Sequence, residues 1–249
     1  MRIAALYDIH GNLPALEAVL SQVELAGVDL VFVGGDISPG PMVRETLELL
    51  FSLDKPVQVI RGNGENDALA ELNGTPAARV PEQYRDIVSW SAKQITADQA
   101  AKIPAWPSTA VYSMQEHGDV LFCHATPDDD NEIFTRLTPQ ERLTRIFRDC
   151  SADIVVCGHT HMQFDIAVEG VRVINAGSVG MPFGRAGADW LLLDGGVEFR
   201  HTDYDLEEAV SRIRETGYPQ ALEFARSYVL DPPSAEQMLE VYRRADDVA

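Results

Sequence analysis

Two rhythms of apolar and polar positions alternate along the first half of the chain. A short β-rich apolar run is followed by a stretch with helical spacing, and the pair repeats, which predicts βα units around a largely buried sheet. Arg2 to Tyr7 reads as the first strand. Leu13, Leu16, Val19, Leu20 and Val23 share one helical face, predicting a helix from Leu13 to Ala26 with Gly27 as its C-cap. Asp29 to Val33 is the second strand, Pro41 opens a helix through Leu53, and Pro56 to Ile60 is the third strand.

Between Gly64 and Pro107 the pattern turns helical and proline-punctuated, with Tyr84, Ile87, Val88, Ser91 and Ile95 on one face and Thr96-x-x-Gln99 reading as a capping box. This predicts a helical insertion over about residues 66–107. Strands resume at Thr109 to Ser113 and Asp119 to Cys123, a helix follows from Pro139 to Asp149, and Asp153 to Cys157 is a further buried strand. Two pairs of short strands come next, Gln163 to Val168 with Val171 to Ile174 and Asp189 to Leu193 with Val197 to His201, joined by Glu169-Gly170 and Asp194-Gly195-Gly196. Such turns predict antiparallel hairpins, and the hairpins predict a second sheet. From Asp205 onward the chain is amphipathic and helical, broken at Pro219 and Pro232-Pro233. No internal repeat or linker divides it. A single domain over 1–249 is expected, with a core of about 1–204 and a C-terminal helical segment of about 205–249.

Five polar clusters each stand directly after a predicted strand: Asp8-Ile9-His10-Gly11-Asn12, Gly34-Gly35-Asp36, Gly62-Asn63-Gly64-Glu65, His124, and Gly158-His159-Thr160-His161. Ligands of open α/β sheets bind at the carboxyl ends of strands, so the five clusters are expected to share one edge. Imidazole nitrogens and carboxylate oxygens without thiolates suit Mn(II), Fe(II) or Zn(II). The flanking Gly11, Gly34, Gly35, Gly62 and Gly158 permit the close backbone approaches that a crowded ligand site needs. Taken singly, an Asp-x-His is commonplace and an Asp or Asn after glycine is usually a turn residue. Their joint occurrence in this order, with four of the six histidines inside the clusters, favours a metal site.

Composition narrows the setting. With 249 residues the chain can bury a sizeable core without disulfides. Cys123, Cys150 and Cys157 are odd in number and form no Cys-x-x-Cys pair, which predicts buried core thiols in a reducing, cytoplasmic compartment. The charged Asp8 comes too early for the apolar core of a signal peptide, and no apolar run reaches the roughly 18–20 residues of a membrane span. The formal net charge of −19 repels duplex nucleic acid. A small anionic substrate is still admissible where bound divalent cations reverse the local field. The oligomeric state is not legible.

The ordered set of Asp-x-His-Gly-Asn, Gly-Gly-Asp, Gly-Asn-x-Glu, His and Gly-His-Thr-His, followed by Asn175-Ala176-Gly177-Ser178-Val179, resembles the calcineurin-like metallophosphoesterase superfamily, and within it the small bacterial and archaeal phosphodiesterase branch. The resemblance covers about Met1 to His201. It implies a four-layer α/β/β/α sandwich of two mixed β-sheets, to which the helical insertion and C-terminal helices are added. It also implies that Asp8, His10, Asp36 and His161 hold one metal ion and that Asp36, Asn63, His124 and His159 hold the other, with Asp36 bridging. The expected cofactors are two divalent ions, Mn(II) first and Fe or Zn as alternatives. The expected substrate is a small phosphate ester, hydrolysed by in-line attack of a metal-bridging hydroxide, with Asp36, Asn63 and His124 acting through that hydroxide and through substrate positioning.

Gly64 departs from the pattern. Relatives with strong monoesterase activity carry a histidine there, able to protonate the leaving oxygen, and losing such an acid costs about 10²–10⁴ in rate for leaving groups that need a proton. A preference for phosphodiesters or activated esters is therefore expected. Gly64 would otherwise make room for a substrate group, with Glu65, Asp67 or water relaying the proton. The alternatives are a phosphatase or nucleotide pyrophosphatase with the same metals, a metal-buffering protein, or a non-catalytic scaffold of the kind ascribed to the metallophosphoesterase-like subunit of retromer. Asn12 and Arg61 have donors that match phosphate oxygens and serve equally as loop braces. Asn175, Gly177 and Ser178 are expected to support the Gly-His-Thr-His loop. Phe183, Trp190 and the helical insertion are expected to pack in the core or on the surface, with the lining of a substrate cleft as the alternative.

Overall fold

The computed structural model describes residues 1–75 and 79–246. Its strands form two five-stranded mixed sheets. The first sheet takes β1 (Ile3–Leu6), β2 (Leu30–Val33), β3 (Val57–Val59), β9 (Ala188–Leu193) and β10 (Val197–Thr202), in the order β10-β9-β1-β2-β3. The second takes β4 (Thr109–Met114), β5 (Gly118–Cys123), β6 (Ile154–Cys157), β7 (Phe164–Val168) and β8 (Val171–Asn175), in the order β4-β5-β6-β8-β7. In the first, β1, β2 and β3 run parallel; in the second, β5, β6 and β8 do.

Strand periodicity builds the layers. In β1, Ile3 and Ala5 face the space between the sheets, where Phe32, Phe122, Val156, Ile174 and Leu191 meet them. Ala4 and Leu6 face the other way, onto Leu16, Val19 and Val23 of α1 (Leu13–Ala26) and Leu47 and Leu50 of α2 (Val43–Ser52). Burial on both faces is why this strand is apolar throughout. The outer face of the second sheet packs Val155 and Val173 on Leu143 and Phe147 of α6 (Gln140–Phe147). The result is the expected α/β/β/α sandwich.

Several boundaries shift from the sequence expectation. Asn63 begins α3 (Asn63–Leu72), so this part of the Gly-Asn-x-Glu cluster is a helix start. The insertion continues through α4 (Arg85–Gln94) and the single turn α5 (Ala97–Ala100), where Thr96 and Gln99 make both capping-box bonds. The C-terminal segment forms α7 (Leu206–Glu215), α8 (Ala221–Phe224), which widens into a π-helical stretch at Ala225–Leu230, and α9 (Ala235–Asp246). Its apolar faces pack on Leu13, Met42 and the half-buried Ile87 and Trp90.

The two hairpins do not build one sheet together. The β7–β8 hairpin extends β6, whereas β9–β10 joins the first sheet beside β1. Turn chemistry specifies the local pairing within each hairpin; the outer partner is chosen by burial, and all six residues of β9 are buried. Cys123 and Cys157 are buried and free, but Cys150 is half-buried. Among the described residues, no helix is long and apolar enough to cross a membrane.

Candidate metal centre

The carboxyl ends of the parallel strands of both sheets open on one edge, and all seven candidate ligands stand there. Asp8 and His10 follow β1, Asp36 follows β2, Asn63 starts α3 after β3, His124 follows β5, and His159 and His161 follow β6. They gather in two adjoining groups. Ligand atoms of Asp8, His10 and His161 lie within 4.8 Å of one another, as do those of Asp36, His124 and His159. The Asn63 side chain lies 3.1 Å from His124 Nε2. Asp36 reaches both groups, with one oxygen 3.4 Å from His124 Nε2 and the other 3.8 Å from His10 Nε2.

The backbone is bent to achieve this. Asp8, His10, Asp36, His159 and His161 all have left-handed conformations, with φ between 48° and 67°. Such a conformation costs a non-glycine residue roughly 1–2 kcal/mol, so it persists where surrounding structure over-determines it. Here the Asp8, His10 and Gly11 amides donate to the Gly35, Asp36 and Ile37 carbonyls at 2.9–3.1 Å, locking the first loop onto the second. The buried Glu65 carboxylate locks the second onto the third, accepting the amides of Asp36, Ile37, Ser38 and Gly62 at 2.8–3.2 Å. Ser178 donates its hydroxyl to the Asp8 carbonyl, and the Asn175 amide donates to the Gly158 carbonyl and the Thr160 hydroxyl. Asn175 thus supports the histidine loop in the expected way, whereas Ser178, expected to do the same, braces the Asp8 loop instead.

Gly62 and Gly64 are demanded by crowding. A Cβ on Gly62 would sit 2.3 Å from the Asp36 carboxylate, and one on Gly64 would sit 1.8 Å from the Ser38 carbonyl oxygen. The place a side chain would take at position 64 is filled by the protein's own backbone, so Gly64 does not make room for substrate there. Glu65 is not free to relay protons either, because both its oxygens hold backbone amides.

Electrostatics tie the groups together. Burial pushes the Asp36 carboxyl up, but the imidazoles of His124, His10 and His159 outweigh it and hold Asp36 well below the usual carboxylate range. Burial lowers His124, yet the Asp36 carboxylate and then Asp8 lift it to about 10. His159 is taken down to about 4 by burial and then by its neighbour His124. Burial and then Asp36 push Glu65 up to about 7 against the pull of its backbone amides.

These residues fit two cations. His10, His124 and His161 set Nδ1 against the carbonyls of Pro39, Gly34 and Met181 at 2.8–3.0 Å. A carbonyl only accepts, so each Nδ1 is the donor and Nε2 is the nitrogen aimed into the centre; a cation there would take the place of the proton that Asp36 and Asp8 hold on His124. His10 Nε2 and His161 Nε2 face each other at 3.2 Å. Asp8 Oδ1 is sealed from solvent with no hydrogen-bond partner, 3.4 Å from His161 Nε2. Opposed lone pairs and an orphaned carboxylate oxygen are costly alone, and a cation shared between them relieves both.

The remaining expectations resolve in different ways. Asn12 is a brace: it caps α1 and donates to the Gly180 carbonyl and the Tyr204 hydroxyl. Arg61 binds the Pro104 carbonyl. Trp190 is core, its indole N–H on Thr202. Phe183, expected to pack, stacks on the His161 ring at 5.3 Å. Burial and then the Asp8 carboxylate push up the phenol of Tyr242 in α9, a residue absent from the sequence expectation. No local pattern marks either aromatic residue, since both arrive from segments outside the polar clusters. On the His124 side a polar cavity of about 230 Å³ opens, walled by Arg79, Ser108, Thr109 and Asp128 to Asp130.

Comparison with known proteins agrees with this architecture. The chain is 27% identical over 241 residues to the uncharacterized protein MJ0912 of Methanocaldococcus jannaschii, covering 88% of this chain and 95% of that one. The crystal structure of the hypothetical protein PH1004 from Pyrococcus horikoshii OT3 matches with a TM-score of 0.78 at 20% identity, over 94% of this chain and 99% of that chain. A metallophosphoesterase from Sphaerobacter thermophilus matches with a TM-score of 0.69 at 24% identity, over 91% of this chain and 98% of that chain. The model of the calcineurin-like phosphoesterase superfamily domain covers residues 1–195 and with them every candidate ligand from Asp8 to His161, so the chain belongs to that superfamily.

Proposed function

We propose that the protein is a dinuclear-metal phosphodiesterase acting on a small phosphate ester. The observation that carries this reading is the pairing of the two ligand groups across Asp36. Asp8, His10, Asp36 and His161 would hold one ion, and Asp36, Asn63, His124 and His159 the other, with Mn(II) the first candidate for both. When bound, the two cations supply Lewis acidity at the phosphoryl oxygens and a nucleophile at neutral pH. The chain's own part is to orient the imidazoles through their Nδ1 bonds and to position the phosphoryl group beside Asn63 and His124.

Preference for diesters rests on what the chain lacks beside Asn63. Position 64 has no side chain, and Glu65 is occupied by backbone amides. Asp67, pushed up to about 6 by burial and then by Asp36 and Asp130, or water is left to assist a departing oxygen. Leaving groups that depart readily as anions therefore react best.

The test is Mn(II)-dependent hydrolysis of bis-p-nitrophenyl phosphate beside p-nitrophenyl phosphate. Faster turnover of the diester, abolished by a chelator and restored by Mn(II), is the expected result. Faster turnover of the monoester overturns the diester assignment. Absence of turnover of both esters with two ions bound per chain overturns the general diester reading and favours a narrow natural substrate or the scaffold.

A further inference from the structure

The two ligand groups open onto cavities of opposite character. Beside His124 the walls are charged and hydroxylic. Beside His10, Pro39 and Met181 lies a second cavity of about 180 Å³ whose other walls come from the two segments that carry no part of the ligand motifs. Tyr84 and Ile87 enter from the insertion, and Tyr218, Phe224 and Tyr228 from the C-terminal helices. His10 forms part of its wall, so the cavity adjoins the centre.

We infer that this cavity is a subsite for one planar aromatic ring carried on an ester arm of the substrate. The inference rests on the phosphodiesterase reading and names the substrate class it serves. The rings of the wall are held in place: Tyr218 lies edge-on to Trp90 at 5.4 Å and to Phe224 at 5.9 Å, and Phe224 meets Tyr228 at 5.5 Å. A ring entering such a preformed aromatic wall gains edge-to-face contact at little ordering cost. Polarity at the rim sharpens the selection. Tyr218 is only 5% exposed and Tyr84 is 42% exposed, so the wall offers phenolic hydroxyls as well as ring faces. A ring with polar edge atoms can hydrogen-bond to those hydroxyls where an alkyl arm cannot.

Size sets the occupant. Drug-sized ligands fill pockets of roughly 300–1,000 Å³, and the cavity of about 180 Å³ holds one ring system. The substrate so described is a phosphodiester with one flat aromatic arm toward His10 and a polar arm toward Arg79. An aryl group and a nucleobase share this chemistry.

Isothermal titration of the Mn(II)-loaded protein with diphenyl, dicyclohexyl and dimethyl phosphate tests the subsite, with turnover of bis-p-nitrophenyl phosphate followed on the same preparations. Diphenyl phosphate is expected to bind about tenfold more tightly than dimethyl phosphate and more tightly than the dicyclohexyl ester. Tyr84→Ala, at a position 42% exposed, and Tyr228→Ala are each expected to pull the phenyl-to-methyl ratio toward one. Equal binding of the phenyl and methyl esters, or a ratio unmoved by both variants, overturns the subsite. Loss of turnover with the ring preference intact counts against the phosphodiesterase reading alone. Turnover without ring preference counts against the subsite alone. Adenosine 5′-(methyl phosphate) binding more tightly than diphenyl phosphate names a nucleobase as the ring, and weaker binding names a simple aryl group; both uphold the subsite.

Discussion

The two edges of the sandwich are built by different rules. At the edge where the parallel strands end, five non-glycine residues, all candidate ligands, take left-handed conformations. At the opposite edge one does, Glu169, in the two-residue turn between β7 and β8, where the next residue is Gly170 with φ 92°. The strain at Glu169 is a local requirement of a tight hairpin whose two turn residues both need positive φ. The strain at Asp8, His10, Asp36, His159 and His161 has no such local cause. It is held by hydrogen bonds between loops far apart in the chain, and it turns side chains inward that would otherwise point to solvent. One edge stores conformational energy to gather ligands, and the other closes the chain economically.

The largest effect expected is on activity at Asp36, which spans the two groups. Asp36→Asn keeps the side chain's shape and its reach to the Gly64 amide, but removes the charge shared between them. Diester turnover is expected to fall by about 10²-fold or more, and bound metal, counted by elemental analysis, from two ions per chain to at most one. Full activity with two ions retained would remove the bridging role of Asp36.

Next comes the buried link that keeps the strained loops in register. In Glu65→Gln a single amide oxygen replaces a carboxylate that accepts four backbone amides. The loss is expected to be about 2–4 kcal/mol, read as a melting temperature lower by roughly 4–10 °C, with metal affinity reduced in parallel. An unchanged melting temperature would mean that the loops hold their conformation without Glu65.

The same comparison explains what was legible in the sequence. The ligand edge could be read because metal chemistry restricts residue type: Asp8, His10, Asp36, Asn63, His124, His159 and His161 stand in clusters after apolar runs, and the structure brings all seven together. The α1 boundaries and the Thr96–Gln99 capping box were legible for a related reason, since caps are set by neighbours in the chain. What could not be read depends on distant partners. Nothing near Gly64 announces that the Ser38 carbonyl fills its space. Nothing near β9 says that β1 will be its neighbour, and nothing near Tyr84 says that Tyr218 and Tyr228 will share its cavity. Phe183 shows the limit most plainly, because a packing aromatic and one stacked on a candidate ligand look alike until the fold closes.

A pair of glycine substitutions sharpens the comparison between edges. Gly64→Ala places a methyl group 1.8 Å from the Ser38 carbonyl oxygen, and the forced backbone shift is expected to cost about 1–3 kcal/mol. Gly196→Ala, in the turn at the other edge, meets no atom within 4 Å and is expected to stay within about 0.5 kcal/mol of the parent. Both are read from urea unfolding curves. Equal costs at the two positions would show that crowding at the ligand edge is no greater than elsewhere.

The smallest effect tests whether the strain at Glu169 is as local as its surroundings imply. Asn occupies the left-handed region more readily than Glu, and Asn-Gly is a preferred pair for a two-residue hairpin turn. Glu169→Asn gives up the Thr144 hydroxyl bond to the Glu169 carboxylate, an exposed contact of small net worth. The balance favours the variant by about 0.5 kcal/mol, a rise in melting temperature of roughly 1–2 °C, with diester turnover unchanged. No comparable relief is open to the candidate ligands, because any residue that fits their backbone better would abandon the proposed metal chemistry. A lower melting temperature in Glu169→Asn would show that the Glu169 side chain does more than sit in a turn, and the contrast between the two edges would then rest on the ligand residues alone.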